Sequence, residues 1–183
     1  SLRAELALKG VLLLTGAPRI GKTTTARWLA YQLQCEGFKV KVTPDVDSAQ
    51  RFLAEPVTEL RLALIDDPFG GSHLTDGAAR SLSVLNQVIP TLSNARRLIV
   101  AQAQDRLMEV TRRKSISEIV TAGTHWQKVE AHDARFLASV WKEACGVHEV
   151  ENQLAHRVQE AILKKELVLE PGCLIHLAAS HTH

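Results

Sequence analysis

Three short runs of this chain are apolar at every position: Val11–Leu14, Leu62–Ile65 and Leu98–Ala101. Continuous apolar runs of that length predict central parallel strands covered on both faces. Phe38-Lys39-Val40-Lys41-Val42 alternates instead, which predicts a sheet-edge strand with one face toward solvent, closed by Pro44. Trp126-Gln127-Lys128-Val129-Glu130 alternates too and predicts a fifth strand.

Helical spacing fills the gaps. Lys22–Gln34 predicts a helix ending near Gly37, and Ser48–Leu53 a short one. Ala78–Leu92 sets Leu82, Leu85, Ile89 and Leu92 on one face, with Pro90 as a kink or an end. Strands alternating with helices imply a three-layer α/β fold around a parallel sheet, spanning residues 1–130. Beyond Glu130 the period becomes purely helical. Phe136, Leu137, Val140, Trp141 and Ala144 form one stripe, with Asp133 as N-cap and Gly146 as the stop. Val150, Leu154, Val158 and Ile162 form a second, and a third helix is expected after Pro171-Gly172. Residues 131–183 therefore read as a helical annex. Trp28 and Trp141 are expected in core or interdomain contacts, His176 as a packed histidine and Cys145 as a buried thiol.

Composition narrows the class. The 183 residues are 45% hydrophobic and 23% charged, as in a soluble globular protein. A net charge of +2 gives no strong field for nucleic acid. Cys35, Cys145 and Cys173 form no CxxC pair, which suggests free thiols in a reducing, cytoplasmic setting. No apolar run approaches the ~20 residues of a membrane span. Arg112-Arg113-Lys114 reads as a solvated loop face. Eight histidines show no HExxH spacing, so a structural zinc site is not expected. The chain opens on Ser1 and stops at His183, just after the apolar stretch Cys173–Ala179, so it is expected to be a piece of a longer protein.

The chemistry enters between the first strand and the helix after it: Gly16-Ala17-Pro18-Arg19-Ile20-Gly21-Lys22-Thr23-Thr24, the pattern GxxxxGKT. Glycines let backbone wrap around phosphate oxygens. Loop amides and the helix N-terminus aim partial positive charge at an anion. Lys22 adds a full charge near the terminal phosphates, and Thr23 offers a hydroxyl to magnesium. Strand before and helix after are the setting this phosphate loop requires.

Arg61-Leu62-Ala63-Leu64-Ile65-Asp66-Asp67 is an apolar strand ending in two carboxylates, the Walker B position of a phosphate-loop protein. Asp66 is assigned to magnesium and Asp67 to polarising the attacking water. Asp66-Asp67-Pro68-Phe69-Gly70, downstream of this loop, resembles the STAND ATPases, signal-transduction ATPases close to the AAA+ proteins, and within them a largely bacterial branch. The resemblance covers roughly Gly10 to Glu130. It implies an ATP- or ADP-bound, Mg2+-dependent switch with slow turnover inside a sensor or defence protein, with a helical lid after the fifth strand and self-association or other domains of the parent protein as partners.

One stretch departs from that family. The strand Arg97–Ala101 should end in a polar sensor, often Thr/Ser-Arg, and here reads Ala101-Gln102-Ala103-Gln104-Asp105-Arg106. Either Gln102 donates to a γ-phosphate, with Arg106 a small shift away, or these residues only cap a strand and start a helix. Arg19, inside the loop, is read as solvent-facing or as a phosphate or partner contact. The guanine motif NKxD and the ABC signature LSGGQ are both missing. A nucleotide-bound scaffold that scarcely hydrolyses, and a small-molecule kinase, stay open as alternatives.

Overall fold

A computed structural model of the chain describes residues 2–18, 20–56, 58–129, 134–167, 169 and 171–181, with Phe136 described by its backbone alone. By contact density it divides into two compact units, Ser1–Pro18 with Thr25–Val129, and Arg19–Thr24 with Glu130–His183.

The first unit is built on a parallel five-stranded sheet. Its strands are β1 (Val11–Gly16), β2 (Lys39–Thr43), β3 (Arg61–Asp66), β4 (Arg96–Ala103) and β7 (Gln127–Lys128), in the order β2-β3-β4-β1-β7. The register explains the continuous apolar runs. Val11 and Leu13 of β1, Ala63 and Ile65 of β3, and Leu98 and Val100 of β4 face one layer. Leu12 and Leu14, Leu62 and Leu64, Ile99 and Ala101 face the other. Every residue of the three central runs is buried, each large aliphatic side chain contributing about 1.5–3 kcal/mol. β2, the alternating strand, lies at one edge of the sheet, with Val42 exposed.

Helices cover both faces. α1 (Leu2–Lys9) and α2 (Lys22–Cys35) pack on the layer that holds Leu6, Ala26, Leu29, Ala30 and Leu33. α3 (Val46–Ala54), α4 (Ala78–Val88) and α5 (Gln104–Thr111) pack on the opposite one. Asp45 caps α3, its carboxylate accepting from the Asp47 amide at 3.0 Å. α4 stops at Val88 and passes into a 3₁₀ turn, Ile89–Thr91, as Pro90 demands. β7 is shorter than the alternating run suggested: Trp126 stands just outside it, and only Gln127 and Lys128 pair, with Leu14 and Thr15.

Trp28 is not in the core. The buried residues of α2 sit at Ala26, Leu29, Ala30 and Leu33, a stripe spaced i, i+3, i+4, i+7, and Trp28 falls off it, 57% exposed. Three elements lack a sequence expectation: α1 and the two-residue strands β5 (Val120–Thr121) and β6 (Thr124–His125), which form an antiparallel hairpin, while α5 begins at Gln104, where the strand-capping reading allowed a helix to start.

In the second unit, α6 (Ala134–His148), α7 (Asn152–Leu163) and α8 (Pro171–Ala179) share a core of Leu137, Trp141, Ala144, Val150, Ile162 and Leu174. Trp141 is fully buried and donates from Nε1 to the Ala155 carbonyl at 2.8 Å. α6 runs past Gly146 and ends two residues later. There Glu149 turns left-handed (φ 52°) and the Val150 amide reaches back to the Cys145 carbonyl, so the backbone cap, not the glycine, stops the helix. His176 is exposed, because α8 turns Pro171, Leu174 and Ala178 inward instead. The expected Asp133 cap lies outside the described residues.

Candidate functional site

The C-terminal edge of the sheet brings together Gly16, Asp66, Asp67 and Gln102. β4 lies between β1 and β3, with Gly16 paired to Ala103, Thr15 to Gln102, and Asp66 to Ala101. The end of the strand that enters the GxxxxGKT loop and the end of the strand that carries the acidic pair are thus one strand apart. Ligands of open parallel sheets gather at this edge.

Asp66 closes β3 and is half-buried. Asp67 leaves the strand in the left-handed region, φ 51°, which Asp tolerates better than most residues. Its amide still donates to the Ala101 carbonyl at 2.8 Å, so it is tethered to β4 as the chain turns. Its Oδ1 accepts from the Ala103 amide and from Gln102 Nε2, each at 3.2 Å. Pro68 and Phe69 then turn inward. Phe69 is fully buried, its ring centroid 6.4 Å from that of Trp126 at a 56° tilt. Trp126 is anchored in turn by an Nε1 hydrogen bond of 2.9 Å to the Thr121 hydroxyl.

Gly70 completes the turn, its amide donating to the Asp67 carbonyl at 2.9 Å. Its φ of +100° and a carbonyl oxygen of His73 only 1.9 Å from where a Cβ would stand leave no room for another residue. The sequence reads Gly70-Gly71-Ser72-His73 as a flexible loop; the structure instead makes Gly70 a tight, hydrogen-bonded turn, and the apolar anchor Phe69 before it has no counterpart in the sequence reading.

Gln102 is fully buried, and its amide faces this loop. Oε1 accepts from the Phe69 amide at 2.8 Å, while Nε2 donates to the Gly70 carbonyl at 3.0 Å as well as to Asp67. Both of its N–H groups are committed, so in this arrangement it does not offer a donor to a γ-phosphate. Arg106, on α5, forms an ion pair with Glu109. Thr15, next to Gln102 in register, is fully buried, and its hydroxyl has no hydrogen-bond partner among the described residues.

The loop itself falls partly in the second unit. Ala17 and Pro18 are exposed and Ile20 half-buried, while Arg19 lies outside the described residues. Gly21 adopts φ 92°, a backbone that favours glycine, just before α2 begins at Lys22. Lys22 is buried, with Thr23 and Thr24 half-buried in the first turn, where helix amides carry partial positive charge. Within the same unit, a Cβ on Gly172, at the start of α8, would meet the Thr24 hydroxyl at 3.6 Å, an ordinary contact.

Solved structures share the fold. The Walker-type ATPase PABY2304 of Pyrococcus abyssi is 13% identical, with 97% of this chain and 64% of that one covered at a TM-score of 0.56. The FIGL-1 AAA domain in complex with ADP is 16% identical, covering 93% and 59% at 0.52. The replication initiator DnaA bound to AMPPCP and single-stranded DNA is 17% identical, covering 96% and 58% at 0.51. The chain thus spans about three-fifths of the length of these proteins. No curated protein sequence matches it. A family profile does, over residues 2–135, nearly three-quarters of the chain, and by that match the chain belongs to the family Novel STAND NTPase 3.

Proposed function

We propose that this chain is the ATP-binding, slowly hydrolysing switch module of a larger STAND-like signalling, regulatory or defence protein of the cytoplasm. The observation that carries the reading is the position of the GxxxxGKT loop, between the central strand β1 and α2, with the acidic pair ending β3 at the same sheet edge as Gly16. Gly16, Ala17, Pro18, Arg19, Ile20 and Gly21 would wrap the phosphates with their backbone. Lys22 would draw charge from the β- and γ-phosphates, with Thr23 and Thr24 opening the helix beneath them. Two proteins of this fold carry adenine nucleotides or analogues, ADP in one and AMPPCP in the other, which supports the choice of ATP or ADP.

In this reading Thr23 and Asp66 would each contribute a hard oxygen, of the kind magnesium takes. When bound, that ion neutralises charge on the phosphates. Asp67 accepts a proton from the attacking water, or polarises it, and its Oδ1 is already oriented by two donors. The nucleotide would then set which arrangement the module favours, through different affinities for the two, and so govern self-association or contact with other domains of the parent protein.

A second reading is favoured by one specific observation. The amide of Gln102 is committed to the loop and Arg106 to Glu109, so the β4 end presents neither to a phosphate in this arrangement. A module that holds nucleotide without turning it over would serve as a scaffold; an arginine from a neighbouring subunit, worth about 10³–10⁵ in rate, would restore turnover. Steady-state ATP hydrolysis separates the two. Asp67→Asn is expected to bind Mg-ATP as the wild type does and to turn it over at least ~10² more slowly. Unchanged turnover would remove Asp67 from the role given to it, and wild-type turnover at background, even in self-associated protein, would favour the scaffold.

A further inference from the structure

We propose that Gln102 is a positioning residue for Asp67 rather than a sensor of the γ-phosphate, an inference that rests on the water-polarising role of Asp67 given above. A primary amide has two N–H donors, and here one goes to the Gly70 carbonyl and the other to Asp67 Oδ1. Its oxygen accepts from the Phe69 amide. The orientation follows from the partners: turning the amide over would set N–H against the Phe69 N–H and oxygen against two oxygens. The three bonds therefore clip the turn at Asp67, Phe69 and Gly70 at once.

The clip acts where the backbone needs it. Asp67 sits at φ 51°, a left-handed backbone that a residue other than glycine holds at a cost, and Gly70 at φ 100° completes the turn. Phe69 ties the middle of the turn to Trp126, and the Ala103 amide holds the same Asp67 oxygen from the end of β4. Fixing Oδ1 with two donors fixes the plane of the carboxylate, and with it the direction in which a water would be held. For the amide to reach a phosphate it would have to release Asp67 and Gly70 together. Gln102 is fully buried, so nothing in bulk solvent replaces those bonds.

The two roles predict different kinetics. A γ-phosphate sensor discriminates ATP from ADP, so its loss weakens ATP binding selectively. A positioning residue affects the chemical step and leaves both affinities alone. The test compares the wild-type chain with Gln102→Met, which keeps length and bulk while removing all three hydrogen bonds. Expected are a kcat lower by roughly 10- to 100-fold and exchange of the Phe69 amide proton faster by about tenfold or more. The ratio of ATP to ADP affinity, by calorimetry, should stay within about twofold of wild type. A selective loss of ATP affinity, or an unchanged kcat, overturns the proposal. Should Gln102→Met fail to fold, Gln102→Asn keeps the amide but shortens it by one methylene, so it cannot reach all three partners together; the same fall in kcat is expected and a wild-type kcat overturns it. If Asp67→Asn stops turnover while neither Gln102 variant slows it, the positioning role alone falls. If the wild-type chain has no turnover, the reading of Asp67 falls and takes this role with it.

Discussion

Gly70 is the position in the acidic loop with least freedom. It needs φ 100°, and any Cβ would run into the His73 carbonyl, which is backbone and cannot swing away. Gly70→Ala is therefore expected to cost at least ~2 kcal/mol, read as a lower urea midpoint, and to disturb Asp67 through the turn they share. A variant as stable as wild type would show that the turn can open at no cost. At this scale the sequence was informative wherever a residue's chemistry is local. The carboxylates Asp66 and Asp67 follow from a strand that ends in acid. It was uninformative where a role depends on what lies across the sheet. Nothing near Gln102 in the chain reveals that its partners are Asp67, Phe69 and Gly70, more than thirty residues away.

Elements were legible in proportion to how much of them is buried. The three central strands are covered on both faces, so every residue is apolar and the run stands out. α5 buries only Leu107, begins without a side-chain cap, and reads as polar. α1 buries Leu6 alone, and β5 and β6 are two residues each, too short for a period to show. Of the two places expected for Trp28, the core is ruled out by the register of Ala26, Leu29, Ala30 and Leu33, which leaves it 57% exposed. In α6, Cys145 was correctly expected to be buried, and burial raises its thiol pKa. A raised value means that folding favours the protonated thiol. Its contribution is complete below the pKa of the unfolded thiol, ~8.5, and is lost as pH rises through the higher folded value. Unfolding measured against pH should thus show an alkaline fall in stability, and the fall should be shallower in Cys145→Ala. Identical slopes would contradict that origin. Exposed Cys35 and Cys173 should react first with a thiol reagent, Cys145 only on unfolding.

For the molecule as a whole, the α/β layers, the edge position of the alternating strand and the family agree with what the apolar pattern and two short motifs implied, while the sheet order came from the structure alone. The least legible part was the loop's own neighbourhood. Residues 20–24 fall in the same compact unit as the C-terminal helices, and local sequence spacing carries no sign of that. The switch proposal requires nucleotide to bind at this loop before anything else can follow. Every later element of the account, from Asp67 to Gln102, presupposes it.

The most direct test is therefore calorimetric titration of the chain with Mg-ATP and with ADP, wild type against Lys22→Ala. Lys22 is buried at the first position of α2 and carries the one full positive charge in GxxxxGKT assigned to the terminal phosphates. The account predicts that wild type binds both nucleotides and that Lys22→Ala, still folded by circular dichroism, loses at least ~10-fold in affinity for Mg-ATP. Undiminished affinity in the folded variant, or no binding by wild type cleared of any nucleotide carried through purification, would contradict it.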